Sequence, residues 1–170
     1  MTGGAPGTAQ DRVRVSVFVE VEPARAFQIF TDEIDVWWRR GLKYRVAGKR
    51  RGFIRLEPGV GGRLFESFDA EGETRVVETG RVTAWAPPAR LVFEWRAVNF
   101  APGESTDVEV VFESESGGTR VTVTHRGWST IRPDHPARHG LAAGAFLRMM
   151  GMWWADLMSS ARLCANARPE

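Results

Sequence analysis

Valines at positions 13, 15, 17 and 19 alternate with Arg12, Arg14, Ser16, Phe18 and Glu20. Such period-two alternation of β-branched residues predicts a strand with one buried face. Pro23 then suits the first turn of a helix, where its missing N–H is not needed. Ala26, Phe27 and Phe30 follow at helical spacing. Thr31-Asp32 breaks this helix and is placed to cap a short second one leading to Val36, Trp37 and Trp38, which Gly41 ends. Residues 51–126 read as an antiparallel meander, with strands predicted over Phe53–Glu57, Arg63–Phe68, Thr74–Ala84, Arg90–Ala97, Asp107–Glu113 and Arg120–Arg126. Turn-forming Gly, Pro, Asp and Ser residues separate them, and short connections favour antiparallel neighbours. The last segment reads as one long helix over 136–165, capped by Asp134 or His135, with Pro136 near its first turn. Phe146, Met150, Trp153, Leu157, Ala161 and Cys164 recur along it at spacings of four and three, a single apolar stripe. Gly140, Gly144 and Gly151 are poor helix formers, and their use is close approach of another backbone or room for something bound.

The predicted order is β-α-α-β6-α, an α+β fold of seven strands. A sheet with one apolar face must cover it, and the terminal helix is the one large element available. The 170 residues fit one domain, here 12–166, preceded by a small, polar, Gly/Pro-rich stretch, 1–11, expected to be a disordered tail. Hydrophobic residues at 43% and charged residues at 26% exclude a disordered or fibrous chain. No apolar run approaches the roughly 18 residues of a membrane span, so no membrane partner is expected. The stretch MTGGAPGTAQ has neither a basic nor an apolar region, so no secretory signal is expected. A single cysteine, Cys164, excludes an internal disulfide and a multi-cysteine zinc site, which fits a cytoplasmic location.

The formal charge is only +2, which gives no polyanion-binding signature and no nucleic-acid partner. Local asymmetry is larger: eight bases and no acid lie between Arg39 and Arg55, and five acids and no base between Ala97 and Thr119. The basic run is either a solvated loop or a surface that steers anionic partners.

Of the seven tryptophans and ten phenylalanines, many fall on positions predicted to face inward. Leu91, Phe93 and Trp95 alternate onto one strand face, as do Val108, Val110 and Phe112, while Phe146, Met149, Met150 and Trp153 face them from the helix. These aromatics either close the core or line a cavity, and periodicity does not separate the two. Val121 and Val123 face the core, so His125 shares their face. Phe53 and Arg55 share a face with Glu57, which brings Arg55 to a ligand anion if that face turns inward. His135 and His139, four apart, have no third metal ligand beside them, so neither a metal nor a cofactor is expected. Cys164 on an apolar helix face reads as inert core. The chain has no Walker-type phosphate loop, dinucleotide fingerprint, H-E-x-x-H motif or G-x-S-x-G elbow.

Four segments carry a resemblance. Residues 23–38, from Pro23-Ala24-Arg25-Ala26-Phe27 to Val36-Trp37-Trp38, look like the opening of a helix-grip protein. Residues 57–66 contain a "GGR-x-x-E" turn and strand, Gly61-Gly62-Arg63-Leu64-Phe65-Glu66. Gly80-Arg81-Val82 with Trp85-Ala86-Pro87-Pro88-Ala89-Arg90-Leu91-Val92-Phe93-Glu94-Trp95, and Gly118-Thr119-Arg120-Val121 through His125-Arg126-Gly127-Trp128, complete the set. Together, over about residues 12–165, they resemble the START-like superfamily, also called SRPBCC. The branch most similar is the heat-shock-protein ATPase-activator homologue domain. The resemblance implies a helix-grip fold: a curved antiparallel sheet wrapped on the C-terminal helix, with a hydrophobic cavity between them. It also places Leu64, Glu66 and Phe68 inward, which makes Glu66 a carboxylate among apolar neighbours.

The expected function is therefore binding of a small hydrophobic or aromatic molecule in that cavity. Trp37, Phe53, Leu64, Glu66, Phe68, Phe93 and Trp95 line it, with Phe112, His125, Trp128, Phe146, Met150 and Trp153. Glu66 and His125 serve as polar handles that orient a ligand, do acid–base work, or brace strand ends. Two alternatives stand beside it: an aromatase/cyclase- or hydrolase-like enzyme using the same cavity, and a chaperone- or regulator-interaction module. A protein partner or a homodimer stays open.

Overall fold

The valine alternation forms β1 (Arg12–Val19), and Pro23 opens α1 (Pro23–Asp32). Only Glu33 separates α1 from the one-turn α2 (Ile34–Trp37). Thr31 does not cap α2 as expected: its hydroxyl donates back to Phe27 O at 2.8 Å, satisfied inside its own helix. The computed structural model describes residues 11–167, so the predicted tail lies outside them except for Asp11, whose carboxylate accepts from Ser129 N–H at 2.6 Å.

The meander supplies β2 (Gly52–Leu56), β3 (Arg63–Ala70), β4 (Glu73–Ala86), β5 (Arg90–Trp95), β6 (Thr106–Glu115) and β7 (Gly118–Arg126). All seven strands form one antiparallel sheet in the order β1-β7-β6-β5-β4-β3-β2, so the first strand pairs with the last. The sheet curls. Register shifts at Thr79 and Thr83 put two extra residues into the long β4, and such bulges bend a strand and increase its twist. On the concave side lies α3 (Ala143–Asn166).

That helix starts later than predicted. His135 Nδ1 accepts from Ala137 N–H at 3.0 Å and caps a single 3-10 turn, Pro136–Arg138. His139 (φ 52°) and Gly140 (φ 71°) then take left-handed conformations that end the turn. The buried stripe is also rotated from the predicted one. Leu147, Trp154, Leu157, Met158, Ala161 and Ala165 are buried, whereas Trp153 and Cys164 are half-buried. Gly151 explains the rotation. A Cβ there would stand 3.2 Å from Val13 Cγ2, so α3 leans on β1 and turns Trp154, not Trp153, into the interior.

Aromatic rings run through the interior in contact. Trp128 meets His125 at 4.9 Å, His125 meets Trp154 at 6.0 Å, and Trp154 meets Trp38 at 5.9 Å between centroids. From Trp38 the run continues to Trp37 (5.5 Å), Phe30 (4.9 Å), Phe112 (5.9 Å) and Phe27 (5.1 Å). These separations are those of packed aromatic pairs. The void beside Val17, Phe30, Phe112 and Met158 holds only about 10 Å³, the space of about one water. Among the described residues, no helix is long and apolar enough to cross a membrane.

Candidate functional site

Glu66 sits on β3 between Ile54 and Val77, buried as the resemblance implies, but what it meets is backbone. Its Oε2 accepts from Val46 N–H at 2.8 Å and its Oε1 from Ala47 N–H at 3.1 Å. Both carboxylate oxygens therefore hold the loop of residues 38–51. Arg45, one of the bases in the basic run, is buried in the same loop. Its guanidinium donates to Asp35 Oδ1 (2.7 Å), Asp35 O (3.0 Å), Trp38 O (2.5 Å) and Arg39 O (3.2 Å). Phe68 packs beneath the loop with Ala47 and Ala70.

His125 lies on β7, and β6, β5 and β4 separate it from β3. It is fully buried, and both ring nitrogens are engaged: Trp154 Nε1 is 3.1 Å from Nδ1 and Thr106 Oγ1 is 2.7 Å from Nε2. An indole N–H only donates, so Nδ1 must accept and the proton sits on Nε2, facing Thr106. Burial without a charge partner lowers the pKa from 6.5 to about 3. His125 is thus a neutral strut, and Glu66 and His125 form no acid–imidazole pair.

The loop is latched to α3. Tyr44 Oη donates to Asp156 Oδ2 at 2.8 Å, Arg39 Nε to Asp156 O at 3.0 Å, and Trp153 Nε1 to Lys43 O at 2.7 Å. The Tyr44 hydroxyl, aided by Lys43, holds the Asp156 carboxyl below its usual range. Between this latch, the 137–139 turn and the first half of α3 opens a groove of about 390 Å³. Leu42, Met149, Met150, Met152 and Trp153 line it, with Lys43, Ala137 and His139. Leu42 is 83% exposed and Met152 69%, so large apolar side chains face solvent there.

Residues 20–149, three quarters of the chain, match the sequence profile of the family described as "Activator of Hsp90 ATPase homolog 1-like protein". The chain belongs to this activator-homologue family. No curated protein matches it. Solved structures of the same fold include the Aha1 dimer from Colwellia psychrerythraea, 17% identical, with 91% of this chain and 96% of that one covered and a TM-score of 0.58. A Rhodobacter sphaeroides protein is 21% identical, with 94% of each chain covered and a TM-score of 0.60. A protein of unknown function from Staphylococcus aureus is 16% identical, covers 88% of this chain and 90% of its own, and has a TM-score of 0.61. At these identities the likeness establishes the fold.

Within this activator-homologue fold the thirteen expected site residues separate. Trp37, Leu64, Phe93 and Phe112 are buried in the main core, with Trp95 half-buried and stacked on Trp38 at 6.1 Å. Trp128 and Phe146 form a second cluster with Ile131 and Leu147. Met150 and Trp153 reach the groove. Phe53 is a correction. On β2 it is Ile54 and Leu56 that turn inward, so Phe53 lies 44% exposed on the opposite face beside Phe65, and Arg55 is exposed with it. His135 and His139 lie apart in their surroundings. His135 is buried against Phe100 at 5.3 Å, and His139, beyond the 3-10 turn, is exposed at the groove. Sequence reading missed Leu42, Lys43, Ala137 and Met152. The available signal was the Met149-Met150-Gly151-Met152 run next to a tryptophan doublet.

Proposed function

We propose that this protein binds a small hydrophobic or aromatic molecule in the groove between the Leu42–Lys43 segment, the 137–139 turn and α3. The observation that carries this reading is an apolar groove of about 390 Å³ beside a core with no comparable space. That volume falls in the usual range of small-molecule sites, roughly 300–1,000 Å³. Methionines suit such a site, because an unbranched thioether adapts to ligands of different outline. Thermal unfolding against aliphatic acids, phenolics and polycyclic aromatics tests it. A ligand at about 100 times its Kd adds about 2.7 kcal/mol, which corresponds to a rise of about 5–10 °C. At least one class is expected to produce that rise in the native chain and not in Met149→Glu, which places a charge in the groove. No shift with any class removes the reading.

A second reading is favoured by Lys49, Arg50, Arg51 and Arg55, which are exposed and make no ion pair among the described residues. Four unpaired bases on one loop and strand suit an acidic protein surface, and the family description supplies a candidate in an Hsp90-type chaperone. The chain is then expected to raise the ATPase rate of such a chaperone, and Lys49→Glu/Arg50→Glu/Arg51→Glu to abolish the rise. No stimulation by the native chain removes this second reading.

A further inference from the structure

Three thioethers and one imidazole line a single groove. Met149, Met152 and Trp153 stand at i, i+3 and i+4 on α3 and share one face, with Met150 next to them. His139 lines the same groove, exposed and in a left-handed backbone conformation that histidine adopts more readily than most residues. From these ligands we infer that the groove is a binding site for a soft monovalent cation, Cu(I) or its redox-inert stand-in Ag(I).

The donor set decides the ion. Thioether sulfur is soft and uncharged, and it selects Cu(I) over hard ions, while imidazole nitrogen serves the same metal. Among the described residues no carboxylate lines the groove, so a hard dication such as Mg(II) or Ca(II) meets no anionic oxygen from them there. Zinc sites are built from thiolate, several imidazoles or carboxylate, and the groove has one imidazole. Among the described residues Lys43 is the one fixed cation that lines it. Its ammonium is drawn away to Asp156 Oδ2 at 3.5 Å, so its charge is offset outside the groove. Met152 is largely exposed, whereas Met149 and Met150 are half-buried and border the groove while packing against the cluster of Trp128, Ile131, Phe146 and Leu147. Binding takes no electrons from the protein and breaks no bond, since neutral sulfur and nitrogen lone pairs replace the ion's solvent ligands.

Cys164 needs separating from this site, because a thiol also takes Cu(I). It lies on the same helix 15 residues beyond Met149, about 22 Å along the axis. The test therefore uses the full chain carrying Cys164→Ala. Native mass spectrometry with Ag(I), and competition for Cu(I) against bicinchoninate under ascorbate, are expected to give one ion per chain. Met149→Leu/Met152→Leu and, separately, His139→Asn are each expected to weaken Cu(I) binding at least about tenfold. Zn(II) at the same concentration is expected to remain unbound. The inference is overturned if the Cys164→Ala chain takes up no Cu(I), or if the double leucine variant holds it as tightly as its parent. Leucine keeps the apolar volume and removes the sulfur. The thermal shift with an apolar ligand therefore survives in that variant, and failure of the metal site is distinguishable from failure of the apolar-ligand reading.

Discussion

Lowering the pH from about 7 to about 5 is expected to remove about 2 kcal/mol of folding stability through His125 alone. In the unfolded chain the imidazole takes a proton near pH 6.5, whereas in the fold its pKa is lowered to about 3. A depressed folded-state pKa means that the unfolded state binds the proton first. The stability is therefore complete above pH 6.5 and is lost as pH falls from there toward 3. The cause is local. Protonating Nδ1 would set an N–H against the Trp154 indole N–H at 3.1 Å, with no carboxylate beside the ring among the described residues to compensate. Glu57, Glu115 and Asp156 also have lowered pKa values, but each was below 5 to begin with and so titrates below this window. Urea unfolding at a series of pH values measures the slope. His125→Gln retains an acceptor for Trp154 and a donor for Thr106 without titrating, and its stability is expected to vary by about 2 kcal/mol less over the same window. An unchanged slope in that variant would refute the assignment. The same geometry bears on function, because an imidazole that stays neutral across this range and has both nitrogens engaged is not available as a general acid.

How far the sequence revealed this depended on the kind of signal. The strands were legible because their alternation is strict, as in Val108, Val110 and Phe112, all of them buried. The rise of α3 was legible, but its start and rotation were not. A cap at His135 is compatible with a long helix, and only the left-handed pair His139–Gly140 reveals the break. Trp153 and Trp154 are adjacent, so either satisfies a helical period, and the contact between Gly151 and Val13 on β1 decides between them. Burial of His125 followed from strand parity, and that of Glu66 from the resemblance. Their partners did not, because backbone amides at 46 and 47 and the Thr106 hydroxyl leave no compositional trace. The groove was hidden for a similar reason: Leu42, Ala137 and Met149 come from three separate segments. The resemblance brought with it a cavity between sheet and helix. Here Trp38, Trp95 and Trp154 occupy that region, and open space lies at its edge.

Glu66→Ala is expected to cost about 2–4 kcal/mol, because it leaves one buried and one part-buried amide donor without an acceptor. Charge-assisted bonds from backbone N–H to carboxylate are stronger than neutral ones, and Val46 and Ala47 depend on one carboxylate. Glu66→Gln is expected to cost less, since its carbonyl still accepts one N–H while its –NH2 meets the other donor head-on. The loss spreads along the chain. Val46 and Ala47 follow Lys43, Tyr44 and Arg45, and Lys43 borders the groove while Tyr44 fastens the loop to Asp156. Releasing the amides therefore loosens one wall of a groove that Glu66 does not itself line. Amide hydrogen exchange separates this role from ligand contact. In Glu66→Ala, Val46 and Ala47 are expected to lose protection selectively while the amides of β6 and β7 retain theirs, and affinity at the groove falls with them. If the 46 and 47 amides kept native protection in that variant, something other than the carboxylate would be holding the loop. A fall in groove affinity would then point to Glu66 as a ligand contact.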